Sequence, residues 1–253
     1  MPHEFIYGVQ PVLQVLLAKR RKVFQLFFHR THLKDELKQI LNLVHQENIR
    51  FEEVDKHQLS QLAESPHHQG VVLKVENYSY TLFDDLIEDL KVQGKGEEGR
   101  LVLILDQVQD PQNLGAILRT AHCAGVGGVI LPDKGSAGVT PAVMKASAGG
   151  AEQIKVALVR NLSVAIDVLQ QLKFWVYGCE AGEGSSFWEQ NFQGRVALLL
   201  GSEGIGVRSL LKKKCDFLIS VPLLGSISSL NVSVTTGILL YEVLRQRKNL
   251  KIS

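Results

Sequence analysis

Five short, mostly apolar runs in the second half of the chain constrain its fold most strongly. They cover residues 101–105, 129–131, 175–177, 196–200 and 217–221, and each runs into a loop that contains Gly or Pro. Strands without a polar face are typical of a parallel sheet that helices cover on both sides. Because such sheets bind ligands beyond the carboxyl ends of their strands, we expect the functional residues in those loops.

Composition excludes several other classes of protein. The chain has 253 residues, 45% of them hydrophobic, and a formal net charge of +2, so bulk charge cannot hold it to nucleic acid. No apolar run approaches the roughly 18–20 residues that cross a bilayer, and no secretory signal begins the chain, which predicts a cytoplasmic protein without a membrane span. Cys123, Cys179 and Cys215 form no C-x-x-C pair, so we expect three buried, reduced thiols.

A charged, glycine-rich stretch divides the chain. Residues 94–99 read Gly-Lys-Gly-Glu-Glu-Gly, which offers no face to bury and indicates a solvated linker. Before it, helical and strand-like patterns alternate, typical of a small α/β module. The sequence therefore predicts an α/β domain over residues 1–76, a linker over 77–99 and an α/β domain with a parallel sheet over 100–253.

Three loops after predicted strands carry unusual polar residues. The first begins at Asp106 and leads to Asp110-Pro111, a side-chain cap followed by proline, which predicts a helix start. The second follows Gly201 and has three glycines in six residues, which permit close backbone approach to a ligand. The third, from Pro222 to Ser233, holds more serine and asparagine than helix capping needs. By themselves these loops fit either a binding site or capped helices with tight turns.

Taken together, the three loops resemble the SpoU/TrmH family of RNA 2′-O-ribose methyltransferases. The first loop reads D-x-x-x-D-P-x-N-x-G-x-x-x-R from Asp106, the second G-S-E-G-x-G from Gly201, and the third P-x-x-G-x-x-x-S-L-N-V-S from Pro222. The three motifs occur in the family's order. Two shorter matches, Y-G-V-Q-P-V from Tyr7 and H-Q-G-V-V from His68, resemble the ends of the family's substrate-binding domain.

The resemblance implies a deep trefoil knot in the parallel sheet of the second domain, a fold called SPOUT, next to a small N-terminal α/β substrate-binding domain. It implies S-adenosylmethionine as cofactor and a homodimer that completes the site. By resemblance, five residues contact the cofactor: Gly201, Val221, Leu230, Leu223 and Ala181.

The resemblance also names the residues for methyl transfer, which needs an aligned hydroxyl and stabilisation of the charge that develops on its oxygen. These are Arg119, Asn113, Glu203, Ser229 and Asn231. We expect Arg119 to bind a phosphate or the nascent alkoxide and not to act as a base, since a guanidinium rarely loses its proton. Glu203 would orient Arg119 or part of the RNA-binding face.

A basic stretch in the first domain predicts phosphate contacts. Its members are Lys19, Arg20, Arg21, Lys22 and Arg30. They could equally form an ordinary solvated face. No metal site is predicted, since the adjacent His67 and His68 point in different directions and have no third ligand nearby.

The substrate implied is RNA, and the compact module before the knot resembles the branch that methylates a guanosine in 23S ribosomal RNA of the large subunit. Two alternatives remain at this point: a transfer RNA 2′-O-methyltransferase, and a non-catalytic RNA-binding or assembly protein that retains the knot fold.

Overall fold

The computed structural model describes residues 2–30, 35–92, 101–202 and 204–247. The strands are β1 (His3–Tyr7), β2 (Val23–Phe28), β3 (Arg50–Glu53), β4 (Val71–Glu76), β5 (Leu101–Asp106), β6 (Gly128–Pro132), β7 (Val156–Val159), β8 (Trp175–Cys179), β9 (Ser185–Ser186), β10 (Val196–Gly201) and β11 (Phe217–Ser220). The helices are α1 (Val9–Ala18), α2 (Asp35–Gln46), α3 (Lys56–Ala63), α4 (Phe83–Val92), α5 (Pro111–Cys123), α6 (Pro141–Ala146), α7 (Gly150–Gln153), α8 (Leu162–Gln171), α9 (Ser209–Lys212) and α10 (Val232–Gln246).

The chain divides into two compact units. The first unit combines Met1–Ser79 with Gly138–Gln153, and the second combines Tyr80–Ala137 with Ile154–Ser253. This division differs from the predicted one because α6 and α7, which lie in the second half of the sequence, belong to the first unit. No helix among the described residues is long and apolar enough to cross a membrane.

The first unit is built on a four-stranded sheet in the order β1-β4-β2-β3. β4 pairs antiparallel with β1 and β2, while β3 adds to β2 in parallel. The central strand β4 has apolar residues on both faces, and Val71, Val72 and Leu73 are fully buried. Helix α1 buries Val12 and Leu16. The predicted α/β character of this part is therefore confirmed.

Helix α7 joins the first unit through close contact with α1. Gly149, just before α7, has φ +85°, and a Cβ atom there would lie 2.5 Å from the Cβ of Gln14. The Gln153 side chain donates a 2.9 Å hydrogen bond to the Gln14 side chain. Absence of a side chain at Gly149 thus lets the two helices approach.

The second unit is a seven-stranded sheet in the order β7-β6-β5-β10-β8-β11-β9, and every strand pair in it is parallel. The predicted parallel α/β sheet is confirmed. From β5 the chain builds outward through β6 and β7, and β10 later inserts between β5 and β8. The strand order reverses around β5 and β10, the kind of point where open parallel sheets bind ligands. The trefoil knot itself stays a prediction of the resemblance.

Helix α4 occupies part of the stretch that the sequence analysis interpreted as a linker. Leu86, Ile87 and Leu90 of α4 are buried in the core of the second unit. Gly128 makes room for the helix, because a Cβ atom there would lie 2.5 Å from a methyl group of Leu86. The glycine-rich residues 94–99 lie outside the described residues.

Candidate active site

The first loop begins where β5 ends and is organised by the cap of α5. The Asp110 carboxylate accepts hydrogen bonds from the backbone N–H of Gln112 at 3.2 Å and of Asn113 at 3.1 Å, and Pro111 opens the helix. The predicted helix start is confirmed. The cap places Asn113 in the first turn of α5.

The fully buried carboxylate of Asp106 ties the first loop to the second. It accepts a 3.1 Å hydrogen bond from the backbone N–H of Arg208 and pairs with the Arg208 guanidinium at 2.7 Å. A buried carboxylate needs such partners, because desolvation of an unpaired charge is costly. Sequence reasoning missed this pair, since 102 residues separate its members.

The second loop folds back on its own strand. Gly201 pairs with Asp106 in the sheet register, and a Cβ atom at Gly201 would lie 2.0 Å from the carbonyl carbon and oxygen of Gly206. The Gly206 N–H donates a 2.9 Å hydrogen bond to the Ser202 carbonyl. The backbone of this loop therefore occupies the space of a side chain at Gly201. Glu203, predicted as a site residue, lies outside the described residues.

A second carboxylate, that of Glu180 after β8, also holds this loop. It accepts a 2.9 Å hydrogen bond from the Val207 N–H and pairs with Lys212 at 3.2 Å. Consecutive backbone amides, those of Val207 and Arg208, are thus bound by carboxylates from two different strand ends. The motifs gave no sign of Glu180, although its position directly after a buried strand could have suggested it.

The third loop leads into α10 and meets the first loop through two asparagines. Asn231 caps α10, and its side-chain oxygen accepts a 2.9 Å hydrogen bond from the Ser233 N–H. Its side-chain amide donates a 2.9 Å hydrogen bond to the Asn113 side-chain oxygen. The structure therefore brings together two predicted site residues, Asn113 and Asn231, that stand 118 positions apart.

A cavity of about 340 Å³ lies where the ends of β8, β10 and β11 meet the third loop. All five residues predicted to contact the cofactor line it: Ala181, Gly201, Val221, Leu223 and Leu230. Ser229, predicted as a catalytic residue, lines it as well. Its size lies within the range of small-molecule sites in proteins, and its walls combine apolar side chains, hydroxyl groups and a glycine-rich backbone.

Of the three cysteines, Cys179 lines this cavity. Burial raises the pKa of its thiol to about 12, and burial likewise raises the pKa of Cys215 to about 12. Both thiols therefore remain protonated and unreactive near neutral pH. Cys123 is exposed and Cys179 and Cys215 are partly buried, so the prediction of three buried thiols is wrong for Cys123 and holds only in part for the other two.

Arg119 occupies an exposed position on α5, outside the lining of the cavity. Within the described part of the chain its guanidinium makes no hydrogen bond or ion pair. A guanidinium in this state is available to an external anion such as a phosphate.

The predicted RNA-binding stretch is mostly engaged in contacts within the first unit. Lys19 pairs with Glu47 at 2.5 Å, Arg20 donates a 2.8 Å hydrogen bond to the Glu152 carbonyl, and Arg30 lies 3.8 Å from Glu53. Exposed pairs of this kind are weak and do not prevent contact with phosphate. Lys22 is exposed, with its ammonium 5.7 Å from the centre of the Phe24 ring.

The predicted RNA contact of Arg21 is not possible, because its side chain is only 2% exposed and cannot reach RNA. It forms a bidentate ion pair with Glu152 of α7, in which Nε and Nη2 lie 3.2 and 2.6 Å from the two carboxylate oxygens, and it also pairs with Glu4. Burial raises the pKa of the Glu4 carboxyl although Arg21 lies beside it. Arg21 therefore serves the stability of the first unit, and its prediction as an RNA contact is wrong.

Arg21→Ala is expected to destabilise the first unit by about 3–5 kcal/mol, because it leaves the buried carboxylate of Glu152 and the partly buried carboxylate of Glu4 without their cation. Chemical denaturation followed by circular dichroism measures the change. Lys22→Ala is the matched control, since it removes an adjacent but exposed charge and should stay within about 0.5 kcal/mol of the wild type. Equal midpoints for the two variants would contradict this role for Arg21.

Comparison with known proteins agrees with this arrangement. Residues 100–241 match the SpoU rRNA Methylase family, and residues 5–81 match the RNA 2′-O ribose methyltransferase substrate-binding family. The chain belongs to the SpoU methyltransferase family. This confirms the predicted class, an RNA 2′-O-methyltransferase that uses S-adenosylmethionine, and the predicted α/β methyltransferase fold with its small N-terminal domain.

Two curated relatives span nearly the whole chain. One, from Bacillus subtilis and named for the TrmH family of tRNA/rRNA methyltransferases (YacO), is 37% identical and covers 97% of this chain and 96% of its own. The other, the 23S rRNA (guanosine-2′-O-)-methyltransferase RlmB of Pseudomonas putida, is 36% identical over 97% of each chain.

Among solved structures, an S-adenosylmethionine-bound rRNA methyltransferase from Sinorhizobium meliloti is 25% identical, with a TM-score of 0.78 over 96% of this chain and 87% of that one. AviRb of Streptomyces viridochromogenes, 23% identical, shares the fold with a TM-score of 0.79 over 97% of this chain and 90% of its own.

Proposed function

We propose that this protein methylates the ribose 2′-hydroxyl of a guanosine in 23S ribosomal RNA. The observation that carries the proposal is the 340 Å³ cavity, around which the third loop and the glycine-rich second loop converge. The sequence identity of 36% to RlmB, which extends over 97% of both chains, supports the choice of ribosomal RNA and of guanosine.

The cavity is proposed to hold S-adenosylmethionine, which supplies an electrophilic methyl group when bound. Its lining fits such a molecule. Val221, Leu223 and Leu230 offer apolar walls for a purine ring, while Ser229 and the backbone near Gly201 offer hydrogen-bonding groups for its polar edge. The missing side chain at Gly201 lets the second loop close the cavity from one side.

Positioning of the ribose is assigned to the first and third loops. Asn113 and Asn231 fix one another and thereby hold the start of α5 against the start of α10. Ser229, which precedes Asn231 by two residues, lies on the cavity wall. We assign Asn113, Ser229 and Asn231 to aligning the 2′-hydroxyl with the methyl donor.

Charge stabilisation is assigned to Arg119. Attack by the 2′-hydroxyl would form the O–CH₃ bond as the methyl–sulfur bond of the donor breaks to leave S-adenosylhomocysteine, and the hydroxyl proton would pass to solvent. A guanidinium can stabilise the negative charge that develops on the oxygen or hold the adjacent phosphate. Its exposed, unpaired state among the described residues leaves it open to that contact. Glu203, by its place in the second motif, is proposed to orient the RNA or Arg119.

A homodimer is proposed to complete this site. Loops two and three expose large apolar side chains, with Ile205 71% exposed and Ile227 76% exposed, and Tyr241 of α10 is 56% exposed. Exposed apolar groups near a site favour cover by another protein surface. A second copy of this chain is the occupant that we propose.

A second candidate substrate is transfer RNA, which the name of the Bacillus subtilis relative favours. The deciding experiment incubates the protein with methyl-labelled S-adenosylmethionine and, in parallel, unmodified 23S ribosomal RNA and unmodified transfer RNA, and then maps 2′-O-methyl sites. Label in a single guanosine of the ribosomal RNA is expected. Label in transfer RNA alone would replace the proposed substrate, and cofactor binding without any transfer would favour a non-catalytic role.

A further inference from the structure

A second cavity, of about 610 Å³, lies within the first unit and is not explained by the cofactor site. It opens between the start of α1, the end of β2 and the loop that leads into β4. Its lining includes His29, Lys56, His68 and Gln69, with Glu36 at its α2 side. Two imidazoles and an ammonium in one cavity are a set of groups that can bind a polar ligand.

The hydrogen bonds of the two imidazoles determine which ring nitrogens remain to donate a hydrogen bond to a ligand and which remain to accept one. His68 is only 6% exposed, and its Nδ1 accepts a 3.0 Å hydrogen bond from the Gly70 N–H, so its proton resides on Nε2. Nδ1 of His29 lies 3.1 Å from the Val54 carbonyl oxygen, which can only accept, so that nitrogen carries the proton. When its ring is neutral, His29 therefore presents Nε2 as an acceptor, whereas His68 presents Nε2 as a donor.

Neither Nε2 atom has a hydrogen-bond partner within the described part of the chain. His68 lines the cavity although the residue as a whole is only 6% exposed. A donor and an acceptor in the same cavity match the edge of a nucleobase, which offers the same two functions.

Positive charge surrounds these rings. Lys56 lines the cavity and makes no ion pair among the described residues, and the Lys145 ammonium lies 2.8 Å from the side-chain oxygen of Gln69. Burial lowers the pKa of His68, and the neighbouring charges of Lys56 and Lys145 and the His29 ring lower it further. The ring of His68 thus stays neutral while the lysines supply the charge that a phosphate requires.

The frame of the cavity is preformed. The Gln69 side-chain oxygen also accepts a 3.1 Å hydrogen bond from the Val9 N–H at the start of α1. Gly8 adopts φ +94°, and a Cβ atom there would lie 2.4 Å from the ammonium of Lys145, so the lysine packs directly over this turn. Little reorganisation is therefore needed before a ligand binds.

We infer that this cavity binds one unstacked nucleotide of the RNA substrate, with its phosphate at Lys56 and its base edge at His29 and His68. The inference rests on the proposed function for the identity of the ligand as RNA. The specific RNA contact of the first unit would then lie at the opening of this cavity and not at the stretch Lys19–Lys22. Proteins read RNA sequence mainly through such splayed bases, while phosphate contacts set the position.

The test uses the full chain and a substrate RNA that the wild type methylates. Lys56→Ala and His29→Ala are the variants, because Lys56 is exposed and His29 half-buried, so both should fold. We expect KM for RNA to rise about tenfold with kcat unchanged, since a contact made equally in ground and transition state affects binding alone. For Lys56→Ala the slope of log affinity against log salt should fall by about 0.7–0.9.

Arg50→Ala is the matched control: it removes one exposed charge from the same unit outside the cavity and should change KM less than twofold. Loss of discrimination between RNAs that differ in one unpaired base, in His29→Ala alone, would support a base contact at the imidazole. Unchanged KM and salt slope in both cavity variants would overturn the inference while leaving the proposed function intact. A wild type that methylates no RNA would instead overturn the proposed function.

Discussion

Arg119→Ala is expected to lower the rate of methyl transfer by about 10²–10³-fold, the usual loss when one donor to a developing oxyanion is removed. Affinity for S-adenosylmethionine should stay unchanged, because Arg119 lies outside the lining of the cavity. Single-turnover transfer of labelled methyl groups measures the first quantity and calorimetry measures the second.

Arg160→Ala is the matched control for this prediction. Arg160 is another exposed arginine of the second unit, just after the edge strand β7, and its loss should leave transfer within about twofold of the wild type, as expected for a surface change away from the site. Arg119→Lys should recover only part of the rate, since an ammonium lacks the planar fork of a guanidinium. A wild-type rate in Arg119→Ala would show that the assignment of Arg119 is wrong.

Gly201→Ala is expected to weaken S-adenosylmethionine binding about a hundredfold or more, corresponding to roughly 3 kcal/mol of overpacking strain. The new Cβ would lie 2.0 Å from Gly206 backbone atoms and 2.3 Å from the Val207 nitrogen. That backbone cannot yield freely, because Glu180 binds the Val207 N–H and Asp106 binds the Arg208 N–H. Titration calorimetry measures the loss.

Gly225→Ala provides the control, because a Cβ atom at Gly225 would meet no atom within 4 Å and the residue is not in the positive-φ region. It changes the same residue type in the neighbouring loop and should bind the cofactor as the wild type does. If Gly201→Ala bound S-adenosylmethionine as the wild type does, the second loop would have to move to accommodate the new Cβ atom. The cavity would then not depend on the present backbone conformation of that loop.

Local patterns predicted the elements that have a local cause. The five apolar runs became strands, and β5, β6 and β10 are buried along nearly their whole length. Asp110-Pro111 opened α5 because a cap and a fixed φ act within one turn. Strand β3, in contrast, is Arg-Phe-Glu-Glu with every residue exposed, and it pairs with β2 at the sheet edge. Its sequence carries no burial pattern that could have predicted it.

The sequence by itself determined the parallel α/β character, the loops that carry the chemistry and, through three ordered motifs, the family. Only the tertiary structure decided which of these residues meet. Asn113 contacts Asn231, Arg208 pairs with Asp106, and Arg21 is withdrawn from the surface by Glu152. Periodicity reports how each segment is buried, whereas ion pairs and shared cavities depend on distances between segments more than a hundred residues apart.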